Sequence, residues 1–325
     1  MHPRHILPWL SWPLLAVCAT PSSSPSPAAK VTPIYQFQGS GTWAENIAIR
    51  STGNLLVTRV DAPELWSVDP IAKTGSLVHR FNNATALMGI TEIYPDVFAV
   101  AVGNATTAGD PVTGSWAVWT VDTTDTLQGI DIQEVVAIPE AVWPNGLGRI
   151  DDAPGVVLVA DCVKGVVWKV DLAKRTYAVA LEDSTMAQMD VLGINGVHGY
   201  NGSVYYTSTA LKALFRVPVD GEVRATGPVE TVAQGFGVDD FAIAPDGTFY
   251  VMTHAGNTIL RMGKDGVVDT FAGAADSLEV AGPTAGQVTG DGKTLFVVTC
   301  GGCGRDAPDV TVPAGVLAVE LDPSI

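Results

Sequence analysis

Positive charge is scarce in this chain: 18 Lys and Arg stand against 34 Asp and Glu, a formal net charge of −16 over 325 residues. An acidic surface repels nucleic-acid phosphates and anionic lipid headgroups, and no Lys/Arg cluster breaks the pattern, so neither is expected as a partner. Cysteine is nearly absent, with four residues. No second CxxC or His pair accompanies Cys300-Gly-Gly-Cys303 to complete a zinc tetrahedron, and no βαβ pattern supports a thioredoxin-like redox motif. The favoured reading is a small-loop disulfide between Cys300 and Cys303 in an oxidising compartment, with Cys162 unpaired and buried. Long apolar stretches of helical period are also missing. So are a Gly-x-Ser-x-Gly elbow, a P-loop and a dinucleotide fingerprint in strand–turn–helix context, which argues against serine-hydrolase, nucleotide and NAD chemistry.

No run is long enough to span a bilayer. Residues 6–19 are apolar but shorter than the roughly 20 residues a spanning helix needs, and Pro8 and Pro13 interrupt them. With His2, Arg4 and His5 before it and Val17-Cys18-Ala19 at its end, this stretch reads as a secretory signal over 1–19. Residues 20–30 read as a flexible Ser/Pro-rich leader. Sequons at Asn83, Asn104 and Asn201 agree with export and glycosylation. The expected product is a secreted monomer.

Residues 31–325 are expected to form one domain, since 47% of the chain is hydrophobic and all-β folds often exceed 250 residues as one unit. Six segments share an apolar-aromatic pair leading into an alternating strand. They begin at Leu65-Trp66, Val118-Trp119, Val167-Trp168, Leu214-Phe215, Ile259-Leu260 and Val316-Leu317. Their second residues are 53, 49, 47, 45 and 57 positions apart, the spacing of a four-stranded propeller blade. A second series of six strands interleaves with the first: those beginning at Leu55, Val97, Val156, Val204, Phe249 and Leu295. Each follows hairpin chemistry such as Gly53-Asn54, Asp246-Gly247 or Asp291-Gly292. The pattern predicts an all-β six-bladed β-propeller. We take the second series as the innermost strands and residues 31–37 as the outer strand of the last blade, closing the ring.

About ten residues before each strand of the second series stand Glu45, Met88, Asn145, Asn195, Asp239 and Thr284. Five are polar, and a ring brings them to one axis, as a small-molecule or metal site needs. Glu45, Asn145 and Asp239 offer oxygen ligands suited to Ca²⁺ or Mg²⁺; the competing reading is hydrogen bonding to loop backbone. Trp143, Ser208, His198 and His254 lie close to the same entrance in sequence. His254 is a candidate donor or general base, though it has no assigned partner. Trp143 is a candidate for stacking on a planar ligand or for packing between blades. Ser208 is a candidate ligand donor or strand cap.

Glu45-Asn46-Ile47, Asn145-Gly146-Leu147 and Asp239-Asp240-Phe241 resemble the blade starts of the senescence-marker-protein/gluconolactonase propellers. That resemblance implies a divalent metal on Glu45, Asn145 and Asp239, with Asn195 beside it, used in lactone hydrolysis. Met88 and Ala86 stand where those lactonases carry a substrate-binding Asn and an Arg. A thioether there suits an apolar ligand better than a sugar lactone. Trp43 to Ala48 and Leu55 to Thr58 further resemble a fungal secreted branch that includes hetero-Diels–Alderases of tropolone-sesquiterpene pathways. The resemblance implies a biosynthetic enzyme joining a quinone methide to a terpene alkene, with no cofactor required. Its catalytic group would include His254, Asn195 and Asp239, with Met88, Trp143, Ser208 and Thr284 against the substrate. A metal-dependent lactonase and a non-catalytic binding propeller remain open alternatives.

Overall fold

The computed structural model describes residues 29–106, 109–124, 129–303 and 312–321. The expected signal (1–19) and the leader up to residue 28 lie outside them. Six four-stranded antiparallel sheets follow one another as blades over 44–80, 86–137, 144–182, 194–234, 241–273 and 283–320. The last sheet has three strands from the C-terminal part of the chain, and its outer strand is Val31–Gln36 beside Gly315–Glu320. Two 3-10 turns are the helical elements among the described residues. None is long and apolar enough to cross a membrane.

The hydrophobic core is divided among the seams between blades. Leu56 and Phe98 share a cluster between blades one and two, Met88 and Val159 one between two and three, and Leu158 and Tyr206 one between three and four. Leu214 and Phe241, Met252 and Val297, and Val298 with Ile47 mark the remaining three seams. The last of these joins blade six to blade one. A blade has no interior of its own, so each strand face is buried only when the neighbouring blade is present.

The innermost strands are not those expected from the sequence. They are Ala44–Ile49, Ala86–Tyr94, Pro144–Arg149, Ile194–Tyr200, Phe241–Ile243 and Pro283–Val288. The strongly apolar series starting at Leu55 lies second in each sheet, packed on both faces. The inner strands lack that apolar signature because they converge on a narrow axis where small residues are required. A Cβ on Gly146 would stand 2.7 Å from the Asn195 carbonyl oxygen, and one on Gly148 would overlap the Val197 carbonyl. We therefore expect Gly148→Ala to cost about 3 kcal/mol, the upper end of overpacking penalties, because both colliding groups are backbone. A urea midpoint measurement checks this, with Gly290→Ala, which meets nothing within 4 Å, as the near-neutral comparison.

Candidate active site

Five inner strands are irregular at the positions singled out in sequence. The register with the second strand slips between Ala44 and Asn46, Leu87 and Ile90, Pro144 and Leu147, Ile194 and Val197, and Pro283 and Ala285. Glu45, Met88, Asn145, Asn195 and Thr284 lie within these bulges. A bulge takes a residue out of the pleat and re-aims its side chain. In the fifth blade, Asp239 and Asp240 directly precede the strand Phe241–Ile243.

Threonines on the second strands hold the bulges in place. Thr58 accepts from the Asn46 amide at 3.1 Å and donates to the Met88 carbonyl at 2.7 Å, tying blade one to blade two. Thr207 does the same between the Gly196 amide and the Asp239 carbonyl. Thr284, expected against substrate, is 1% exposed and donates to the Ala44 carbonyl at 2.8 Å across the seam of blades six and one. Its hydroxyl is a clasp between blades.

Glu45 and Asp239 are both buried, 5% and 8% exposed, and they interact although 194 residues separate them in the chain. Burial pushes the Glu45 carboxyl from its ordinary 4.5 up to about 7; the Trp43 indole opposes the rise and the Asp240 charge adds to it. Burial raises Asp239 well above the carboxylate range, and the Glu45 and Asp240 charges add to that, against the pull of the Asn195 amide. Asn145 faces the buried Cys162 thiol, itself raised by burial and by the nearby Asp161 and Glu45 charges. Asn195 donates to Thr209 Oγ1 at 3.2 Å, while its buried Oδ1 has no partner. Two mutually repelling carboxyls and an unpaired amide oxygen suit a cation or a shared proton.

The sequence did not single out Asp240 or Asn46 as site residues, and it placed His198 near the entrance without a partner. The Asp240 carboxylate accepts from Asn46 Nδ2 at 2.9 Å, from His198 Nε2 at 2.9 Å and from the Phe241 amide at 2.8 Å. Blades one, four and five are thereby joined through one buried anion. The signal was present in the residue after each carboxylate, since Asn46 and Asp240 directly follow Glu45 and Asp239. His198 was placed near the entrance in sequence, but its partner, 42 residues away, was not legible.

Trp43 and Trp143 precede the first and third inner strands in the same way. Each backbone amide donates to an aspartate at the end of the second strand, Trp43 to Asp61 at 2.9 Å and Trp143 to Asp161 at 3.0 Å. Asp161 is fully buried and also accepts from Val142, Lys164 and the Trp168 indole, so the Trp143 loop is rigidly held. The indole N–H of Trp43 is buried facing the Glu45 carboxyl, whose proton affinity it lowers, while those of Trp143 and of the core residue Trp116 are buried without a hydrogen-bond partner. The Trp143 indole is therefore a donor with no acceptor in the protein, in a class of buried groups that is nearly always paired.

Other expected residues have different surroundings. Met88 is 2% exposed within the cluster between blades two and three, against which Trp143 packs. Ser208 is fully buried at a strand end, where its Oγ faces the Leu211 amide at 3.4 Å. That places it as a turn cap. His254 lies in a 3-10 turn with φ of +48°, stacks on Trp43 with ring centroids 5.5 Å apart, and is held below its ordinary pKa by burial. Its Nε2 is 3.4 Å from Cys303 Sγ, and Cys303 is bonded to Cys300. Asn83 and Asn201 are exposed and Asn104 is half-buried. A separate cavity of about 320 Å³, lined by Lys169, Lys174 and Tyr177 among others, lies on the flank of blades three and four.

No family model matches the chain. It is 24% identical to a Phoma sp protein described as "Putative hetero-Diels-Alderase", over 92% of this chain and 94% of that one. A Sarocladium schorii protein of the same description is 23% identical, over 92% of this chain and 86% of that one. Among solved structures, a luciferin-regenerating enzyme superposes with a TM-score of 0.63 at 13% identity, covering 90% of this chain and 95% of its own. The calcium-binding protein regucalcin from Agrobacterium tumefaciens superposes with a TM-score of 0.59 at 14% identity, covering 88% and 95%. Over nearly its whole length, then, the chain is similar to proteins described as hetero-Diels-Alderases, on a propeller fold that it shares with regucalcin.

Proposed function

We propose that this protein is a secreted, monomeric hetero-Diels–Alderase that joins an oxygen-containing heterodiene, a quinone methide, to the alkene of a terpene. The similarity to proteins of that description supports an enzyme of this class, and the unpaired indole N–H of Trp143 carries the chemical argument. Such a cycloaddition needs no nucleophile. It needs two reactants held in near-attack geometry, and donors aimed where charge grows on the heterodiene oxygen. A donor already desolvated, on a loop whose backbone amide is held by Asp161, has little reorganisation left to undergo when that charge appears. Asp239 and Glu45, raised toward the protonated state, would add O–H donors, and Asn195 would orient Asp239. His254, stacked on Trp43, would fix the plane of that indole. The test is incubation of purified protein with a quinone methide and an alkene, read by product rate and enantiomeric excess. A faster reaction with one enantiomer in excess is expected. A racemic product formed at the uncatalysed rate refutes the proposal.

A second reading is favoured by the repulsion between Glu45 and Asp239 and by the unpartnered Asn195 Oδ1. These donors fit a divalent cation such as Ca²⁺ or Mg²⁺, held by Glu45, Asp239 and Asn145 with Asn195 adjacent. A cation bound there would polarise a lactone carbonyl or lower the pKa of water, and the protein would be a lactonase. Hydrolysis of a hydrophobic lactone that EDTA abolishes and calcium restores is the expected result on this reading. Activity toward the cycloaddition that EDTA leaves unchanged is the result on the first.

A further inference from the structure

We infer that His254, Cys300 and Cys303 form a redox-gated zinc site, closed in the disulfide form and opened by reduction. In sequence the CxxC lacks the further ligands of a zinc site. The fold supplies a third from the neighbouring blade, 49 residues upstream, and one potential ligand atom of each residue lies within 4.8 Å of the others. Zinc bonded at about 2.3 Å to sulfur and about 2.1 Å to nitrogen has an N···S edge of about 3.5 Å in a tetrahedron. His254 Nε2 stands 3.4 Å from Cys303 Sγ. The imidazole is held in place: His254 has a left-handed φ of +48°, unusual outside glycine, and its ring stacks on Trp43 with centroids 5.5 Å apart. His254 and Cys303 are partly exposed, so an ion has access, whereas Cys300 is buried.

The chemistry balances with a dithiol as the reductant. Two electrons pass from the external dithiol, which becomes a disulfide, to the Cys300–Cys303 bond, giving two thiols. Zn²⁺ then replaces the two thiol protons, which leave to solvent, and the His254 ring nitrogen supplies the third ligand. The fourth position is left to water or an incoming donor, the arrangement of an open zinc site. Because Trp43 joins His254 to the vicinity of Glu45, the redox state of this loop would be felt at the candidate active site. The inference does not depend on either activity proposed above.

The experiment uses the full chain, oxidised or reduced with a dithiol that is then removed under anaerobic conditions, and Co²⁺ as the probe. Reduced protein is expected to bind one Co²⁺, giving a thiolate-to-cobalt band in the near ultraviolet and the intense visible bands of a tetrahedral ion, all bleached by Zn²⁺. Oxidised protein is expected to bind at least 100-fold more weakly. His254→Asn, which tolerates a positive φ, and Cys303→Ser are each expected to weaken zinc binding about 100-fold in the reduced state, with circular dichroism confirming the fold. The inference is overturned if reduced wild-type protein gives no thiolate–cobalt band, or if oxidised protein binds equally well. It also fails if folded His254→Asn keeps its affinity within threefold; should that variant not fold, His254→Gln decides by the same limit.

Discussion

Trp143→Phe is expected to lower the rate of enzymatic cycloaddition about 100-fold at saturating substrate while leaving the melting temperature nearly unchanged. The two halves of this result have one cause. The indole N–H is buried and bonds to nothing in the protein, so the folded state loses no hydrogen bond when it is removed. An unsatisfied buried donor costs about 1–3 kcal/mol, and relief of that cost offsets the small void Phe would leave beside Met88 and its cluster. Removing a donor preorganised for a developing oxyanion, by contrast, typically costs about 10²–10³ in turnover. A Trp143 that only packs between blades would give the opposite pattern: measurable destabilisation and a proportionate, modest loss of activity. Measuring kcat and the thermal midpoint on the same preparation separates the two.

The second large effect concerns protonation. With chelator present, stability is expected to be greatest at acidic pH and to fall between about pH 4.5 and 7. The sign follows from linkage. A carboxyl whose folded-state pKa lies above its unfolded value binds the proton more tightly when folded, so in that interval the native chain carries more protons than the unfolded one and loses stability as pH rises. For Glu45, a rise from 4.5 to about 7 corresponds to roughly 3 kcal/mol, and Asp239 shifts in the same direction. Glu45→Gln should therefore be more stable than wild type at pH 8 and no more stable at pH 4, read from urea midpoints. The two carboxyls titrate as a pair, so the wild-type profile should broaden into two steps. Millimolar calcium or magnesium that restores stability at pH 8 in wild type, but not in Glu45→Gln or Asp239→Asn, would support the cation-dependent reading. An unchanged profile would leave the acids as shared-proton donors in the cycloaddition reading.

The blade repeat was legible because its signals are local. Alternation in Leu65-Trp66-Ser67-Val68 and turn chemistry at Asp246-Gly247 depend on neighbours two to four positions away, and a period near 50 residues needs nothing more. The identity of the inner strand was not legible. Pro144-Asn-Gly-Leu-Gly-Arg149 has little strand propensity of its own and forms an edge only because the next blade's backbone presses against it. Counting back to Glu45, Asn145, Asn195 and Asp239 nevertheless reached residues on or just before the innermost strands, since equivalent places recur in a closed repeat whatever name the strand is given.

By itself, then, the sequence determined six sheets, their order and the list of polar residues eligible to meet at the centre. The tertiary structure alone decided which of these face one another and in what state. It turned Thr284 and Ser208 toward backbone groups, gave Asp240 its partners in Asn46 and His198, left the Trp143 indole donor unpaired, and brought His254 to Cys303. The reason is physical. Strand period and turn geometry are set by short stretches of chain, whereas desolvation, charge repulsion and hydrogen-bond completion depend on groups dozens to hundreds of residues away, which become neighbours only when the ring is folded.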